Sequence, residues 1–541
     1  MSAFFSNNHI RSLLVVGLLF FIYLVLFHPI IGSDDDFFFL YTLSGGFGHE
    51  PSALLHYNFG WNPVLSWPLA QLFRINPHIN WYSLFLLLLQ FSSCFFLCSV
   101  FLRLFPGKIS IFLFFIFFIA IEPRLILLLN YSNTALITVV SGSTALLACH
   151  LEDKKLPGSY KLLSLFMIGV GGLLRLHMFG LICLPSLWTA YFLLSPKNFI
   201  RFFKQIVLAG SVLLFLFICQ WLLFRAEIPN WKNAERIRQY IFSISNHPRK
   251  ILNTDTGTVR IKNSFIERGF IYDTGFIKAS DMETYVKKIH RNRFTLTTED
   301  KAGLYWLFLE LRTYLLFGLG FFLLLLFTIR QYILSWLLIC LAPLIVLLTL
   351  VLFFKINQTI LVGLFAPLVF PSLWMAYHSG ANRKGVQLVQ MVLLAAAAWA
   401  LIKSVKISGE NQKLIKETNC ILSEIKANRD KLFVNSDNLL QLKGYAIWNT
   451  PSFFPAKNLI KYFTVYTSLY EQALKDYRIH DLMASIPNNK NIVLVGLSLP
   501  DLLSYYQLKY QQYIRIIPTN EFHCIPAFHI ETVNRQSSIA H

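Results

Sequence analysis

The sequence predicts an all-α polytopic membrane protein with a small extracytoplasmic α/β domain at its C-terminal end. Three observations predict it. Of 541 residues, 55% are hydrophobic and only 14% charged, where soluble domains carry about 25% charge; the mean hydropathy is +0.53. Apolar runs long enough to cross a bilayer recur through the first three-quarters of the chain. After residue 405 the character changes. A charged helix-like stretch (406–430) precedes strand-like "KLFVNSD" and "NIVLVGLS", the second followed by helix-like "PDLLSYYQLKYQQY". Strand alternating with helix reads as an α/β unit.

The spans are expected at 13–31, 81–102, 109–124, 133–150, 161–175, 177–195, 205–224, 313–329, 332–353, 358–377 and 386–405, about eleven in all. Leu13 to Ile31 is too long for a signal h-region and no small-x-small cleavage site follows, so it reads as a retained span. The short basic connections then fall on one side: Arg11; Arg103 and Lys108; Lys154, Lys155 and Lys161; Lys197, Arg201 and Lys204; Arg330; Arg383 and Lys384. By the positive-inside rule that side is the cytoplasm, which puts the N-terminus inside and the C-terminus outside. The net charge of +20 is accounted for by these loops and by anionic lipid, so nucleic acid is not an expected partner.

Residues 1–405 are thus read as a transmembrane domain with outer loops 33–80 and 225–312, and 406–541 as the outer α/β domain. The cytoplasmic face is nearly bare, which assigns any chemistry to the outer face. The first loop reads as short helices lying on the bilayer, with Trp61, Trp67 and Trp81 at headgroup depth. The polar run 403–413 is the one linker-like stretch. Six of eight cysteines lie in apolar runs as small buried hydrophobes. Cys420 and Cys524 lie in the tail, where a disulfide is an option if the tail is outside, and no spacing resembles a zinc site.

The candidate site begins with "SDDDFFFLYTLSGG", directly after the first span. Asp34, Asp35 and Asp36 stand at the outer membrane boundary, where a carboxylate can take a proton from a hydroxyl or hold a divalent cation against a phosphate. The bland reading is a solvated loop start, with Asp34 capping a helix. Arg175 interrupts an apolar run in "GVGGLLRLHMFG", with His177 beside it. An Arg there is costly unless paired or wet. It reads equally as a phosphate-binding group or as a snorkelling anchor. Glu122 and Arg124 lie in the expected outer connection between the third and fourth spans, paired with each other or lining the same cavity. Lys355 is another lone cation at an outer connection.

An acidic motif after the first span, a long first loop, about eleven spans and an outer α/β tail together resemble the GT-C superfamily of membrane glycosyltransferases. Within it, "SDDDFFFLYTLSGGFGHEPS" followed by "INPHINWY" is similar to a set of bacterial polytopic proteins whose first loop opens with Ser-Asp-Asp and ends with Asn-Trp-Tyr. Here the matching positions are Ser33, Asp34, Asp35, Gly45, Pro51, Asn80, Trp81 and Tyr82. The commoner superfamily pattern pairs Asp with Glu at that point, which leaves open which aspartate is the base. The resemblance implies an inverting glycosyltransferase in the inner membrane of a bacterium. It would move sugar from a polyprenyl-phosphate-linked donor to a cell-envelope glycan or lipid acceptor. Asp35, then Asp34, is the expected base. Arg175, Lys355 and Arg124 would bind donor phosphate, and Asp36, His177, Glu122 and Trp61 would line the cavity. No cofactor is assigned, and a divalent cation on Asp34, Asp35 and Asp36 stays open. Two rivals remain. A polysaccharide polymerase or ligase would rely on Arg260, Arg268 and His290 of the middle loop. A transporter or flippase would need charges deep in the spans and inverted repeats.

Overall fold

The computed structural model describes residues 7–55, 61–152, 155–227, 231–245, 256–291, 333–353, 358–378, 383–435, 442–461, 468–495 and 500–533. It is mostly helical. Among the described residues five helices are long and apolar enough to cross a membrane: Asn8–Leu26, Trp81–Leu104, Tyr131–Leu151, Leu176–Leu193 and Pro196–Glu227. Four more apolar helices are shorter: Gly107–Ile119, Gly158–Leu174, Leu334–Leu350 and Thr359–Met375. The count of about eleven is therefore not reached by helices of spanning length, and the span expected at 313–329 lies outside the described residues. The bundle exterior is apolar. Leu18 is 60% exposed, Phe21 63% and Phe215 64%, an arrangement suited to lipid and unsuited to water.

The first helices in chain order are α1 (Asn7–Leu26), α2 (Asp34–Ser44), α3 (Pro63–Ile75), α4 (Trp81–Leu104), α5 (Gly107–Leu127) and α6 (Tyr131–Leu151). They are followed by α7 (Gly158–Leu174), α8 (Leu176–Leu193) and α9 (Pro196–Glu227). Helix α6 is the axle, buried from Tyr131 to His150. It is threaded by small and polar residues, which let helices approach closely and bond across an apolar medium. Gln90 Nε2 donates to Thr134 Oγ1 (3.1 Å), Ser93 Oγ to Thr138 Oγ1 (3.2 Å) and Ser141 Oγ to the Ser93 carbonyl (2.9 Å). A methyl group at Gly142 would come within 2.6 Å of the Ser164 carbonyl on α7.

At the end of the bundle that carries the C-terminal domain (the outer domain, in the sense of lying beyond the bundle), strand β1 (Ile30–Ile31) pairs in parallel with β2 (Leu128–Leu129). Helix α2 starts just beyond. Contrary to expectation it does not lie on the bilayer. Phe37, Phe38, Phe39, Leu40, Tyr41 and Leu43 are all buried, because the bundle lies beneath the helix and the outer domain above it. Helix α3, with Trp67 60% exposed and Ile75 79%, does keep an apolar face outward.

The middle-loop helices are α10 (Trp231–Ser245), α11 (Gly257–Arg268) and α12 (Ala279–Arg291); α13 (Ile333–Phe353) and α14 (Gln358–His378) return to the bundle. Helix α15 (Arg383–Ala427) runs unbroken for 45 residues, so the boundary at 405 falls inside a helix. The polar run 403–413 is part of it and is no linker. Its polar residues hold the bundle top: Asn411 Nδ2 donates to the carbonyls of His28 (2.8 Å) and Leu127 (3.0 Å).

The outer sheet has the order β4-β3-β5-β7-β6. Its strands are β3 (Leu432–Asn435), β4 (Leu459–Ile460), β5 (Ile492–Val495), β6 (Tyr513–Thr519) and β7 (Ala527–Val533). β3 pairs in parallel with β4 and β5, whereas β7 runs antiparallel to both β5 and β6. Helices α16 (Ser468–Asp476), α17 (Leu482–Ser485) and α18 (Pro500–Tyr510) complete the domain. Alternation along the strands splits the core. Phe433, Val493 and Val495 join the core shared with the bundle. Leu432, Val434, Ile492 and Leu494 join the opposite core, with Ile261, Phe265, Phe270 and Tyr285 of the middle loop. Burial on both faces explains the continuous apolar strands, and makes the middle loop part of the outer domain in space. Cys420 on α15 is joined to Cys524 across 104 residues of chain.

Candidate active site at the start of α2

Ser33 is the N-cap of α2, in extended backbone, and its hydroxyl accepts the Asp36 N–H (3.2 Å). Asp34 is thus the first residue of the helix and not its cap. The same Ser33 hydroxyl donates to the Asp36 carboxylate, so both side chains serve the helix start. Successive residues on a helix point about 100° apart, and the three carboxylates take three directions.

Asp36 points into the bundle and is fully buried. It accepts the Tyr131 N–H (2.7 Å) and hydroxyl hydrogen bonds from Tyr82 and Ser33. Burial pushes its pKa up to about 7, against the pull of those three donors. Asp34 points to the outer domain. Its Oδ1 accepts the Leu442 N–H (2.8 Å) and lies 3.7 Å from Lys461 Nζ. Lys461, the residue after β4, is itself buried. Burial lowers its pKa, and Asp34 and Asp35 oppose that shift.

Asp35 differs from both neighbours. It is partly exposed, and no hydrogen bond to it is found among the described residues. Its environment is ionic: burial raises its pKa, Arg175 opposes that, Asp34 adds to it and Lys461 opposes it. Arg175 gets there because it breaks the helix between α7 and α8 in extended backbone (φ −157°, ψ 101°). The guanidinium lies 5.2 Å from the centre of the Tyr131 ring and donates to Ser132 Oγ. A carboxylate without a fixed donor, next to a guanidinium, can accept a proton from a bound hydroxyl while the cation meets an anion.

The structure thus places Asp34, Asp35 and Arg175 within one electrostatic neighbourhood, and the other expected residues stand as follows. Trp61 is 1% exposed, so it does not face lipid headgroups as expected. Its ring stacks on Tyr82 at 5.5 Å beneath Asp36, because a helix-capping Asn62 turns the chain inward at this point. Arg124 sits in the last turn of α5. It is not in the short connection that was expected to hold it, and it is not among the charges acting on Asp35. Glu122 is on the same helix, with a side chain outside the described ones, and Lys355 lies outside the described residues. His177 is exposed in the first turn of α8. The three aspartates do not converge as metal ligands. Among the described residues only Cys420, Glu424 and Cys524 do, and those cysteines are bonded to each other. In the middle loop Arg260 lies 3.7 Å from Asp501 of α18.

Sequence reasoning missed Lys461 and Tyr131, and named Tyr82 as a motif position without a role. Tyr82 closes the quoted "INPHINWY", and Lys461 is a lone cation in apolar "NLIKYF", but neither stretch says which acid it meets. Compared with known proteins, the chain matches no family model, no curated protein and no solved structure.

Proposed function

We propose that this protein is an inverting glycosyltransferase of the GT-C type in the inner membrane of a bacterium. Its N-terminus is cytoplasmic, about eleven segments span the bilayer and the α/β domain is outside. The donor is a sugar on a polyprenyl phosphate, and the acceptor is a hydroxyl of an envelope glycan or lipid. The observation that supports this best is the state of Asp35: partly exposed and within the electrostatic reach of Arg175 and Lys461. The acceptor oxygen forms a bond to the anomeric carbon from the face opposite the phosphate. Asp35 takes the hydroxyl proton. The bond from the anomeric carbon to the phosphate oxygen breaks, and polyprenyl phosphate leaves with the electron pair. Arg175 stabilises the charge that gathers on it. No metal or cofactor enters the scheme.

The test uses the full chain in lipid nanodiscs with undecaprenyl-phosphate-linked sugars. Arg175→Ala should lower donor use by about 10²-fold. Arg175→Lys should restore it in part, since charge returns but the planar fork does not. Wild-type turnover by Arg175→Ala removes the reading. Transfer that survives Asp35→Asn but is lost in Arg260→Ala favours the polymerase or ligase instead.

A further inference from the structure

Neutral hydrogen bonds already seat the outer domain on the bundle. Ile31 N–H donates to the Tyr445 carbonyl (2.8 Å), Tyr41 hydroxyl to the Phe454 carbonyl (2.7 Å), Ala456 N–H to the Gly46 carbonyl (3.0 Å) and Asn80 Nδ2 to the Asn449 carbonyl (2.7 Å). A join made this way needs no charge. Burying an ammonium is costly, and a well-packed neutral residue is often as stable. Yet Lys461 places its side chain there with only 3% exposed, 3.7 Å from Asp34 Oδ1 and 6.0 Å from the centre of the Phe37 ring. At 3.7 Å Asp34 is an ion-pair partner, beyond ordinary hydrogen-bond reach.

We propose that Lys461 is the second cation of the Asp35 site, so that the site is complete only when the outer domain is seated on α2. Arg175 acts on the Asp35 charge from the bundle, and Lys461, seated against the neighbouring Asp34, acts on it from the outer domain. The groups that act electrostatically on Asp35 among the described residues are Asp34 and Asp36 on α2, Tyr82 on α4, Tyr131 on α6, Arg175 and Lys461. Of these the two cations favour its charged form, as does the N-terminal end of α2 in whose first turn it lies. Two carboxylates, Asp34 and Asp35, then balance two cations. Asp34 is the counter-ion that aims Lys461, and Lys461 is a positioning residue that keeps Asp35 able to accept a proton. The inference rests on Asp35 as the reacting carboxylate, but its test does not use sugar transfer.

Full-length protein in nanodiscs is treated with a water-soluble carbodiimide and glycine ethyl ester across a pH series. The reagent couples to protonated carboxyls, and fragment-ion mass spectrometry separates Asp34, Asp35 and Asp36. In Lys461→Met the pH of half-labelling at Asp35 should rise by about one unit, and Lys461→Arg should restore it. Lys461→Gln, which keeps hydrogen bonding, should behave like the Met variant. An unchanged Asp35 profile in folded Met or Gln variants overturns the proposal. So does failure of both to fold while Lys461→Arg folds, because the lysine is then structural. Absence of sugar transfer by wild type would remove the proposed function and leave this labelling result standing.

Discussion

The bundle side and the outer-domain side of the α2 start hold their carboxylates in opposite ways. On the bundle side Asp36 sits in a closed cage of two hydroxyls and one N–H. On the outer-domain side Asp34 has one N–H and an ion pair. Asp35 lies between, with cations near it and no donor fixed upon it among the described residues. The difference teaches how three like residues in a row can serve the fold, the domain join and the proposed chemistry separately. A turn of about 100° per residue aims each at a different partner.

The largest effect on stability should come from the cage. Asp36→Ala leaves two buried donors, Tyr82 Oη and Tyr131 N–H, and the half-buried Ser33 hydroxyl without their acceptor. Each orphaned donor costs about 1–3 kcal/mol, so the variant should lose about 4 kcal/mol in detergent unfolding. A wild-type midpoint would mean the cage does not hold the helix start. The outer-domain side should respond to its covalent tie instead. The chain between Cys420 and Cys524 contains both Leu442 and Lys461. The double Ser variant should cost about 2–4 kcal/mol, expose the outer domain to trypsin and leave α4 and α6 protected. Equal cleavage of both regions would merge what the comparison separates.

A smaller effect concerns pH. Asp36 has a pKa of about 7 in the folded protein against an ordinary 3.8. Between those values the folded state holds a proton that the unfolded state has released. Its contribution is therefore fully present below about 4, falls as pH rises through that window and is flat above 7. Asp36→Asn should flatten the same window. A stability that rises between pH 4 and 7 equally in both proteins would contradict the assignment.

The membrane helices and the strand pair 432–435 and 492–495 were legible because each carries its own period and boundary signals. So was the approach of Arg175 to the aspartates, since both sit where apolar runs end. Three things were hidden. Lys461 and Leu442 meet Asp34 from more than 400 residues away, Leu442 at a separation of 408, and no local pattern encodes that pairing. Trp61 was misread because an aromatic buried under a cap and one at the headgroups have the same composition around them. The run 403–413 was misread as a linker because its polar residues serve as donors to His28 and Leu127, while its helix propensity carries α15 straight through.

The most direct measurement compares Asp34→Asn, Asp35→Asn and Asp36→Asn in one preparation, scoring sugar transfer from a polyprenyl-phosphate donor and unfolding for each. Removing a base that takes a hydroxyl proton costs about 10²–10⁴-fold in rate. The expected result is that loss in Asp35→Asn with wild-type unfolding, a stability loss in Asp36→Asn, and less than about tenfold lost transfer in Asp34→Asn. Wild-type transfer by Asp35→Asn, in an assay where the unmodified protein is active, would contradict the account.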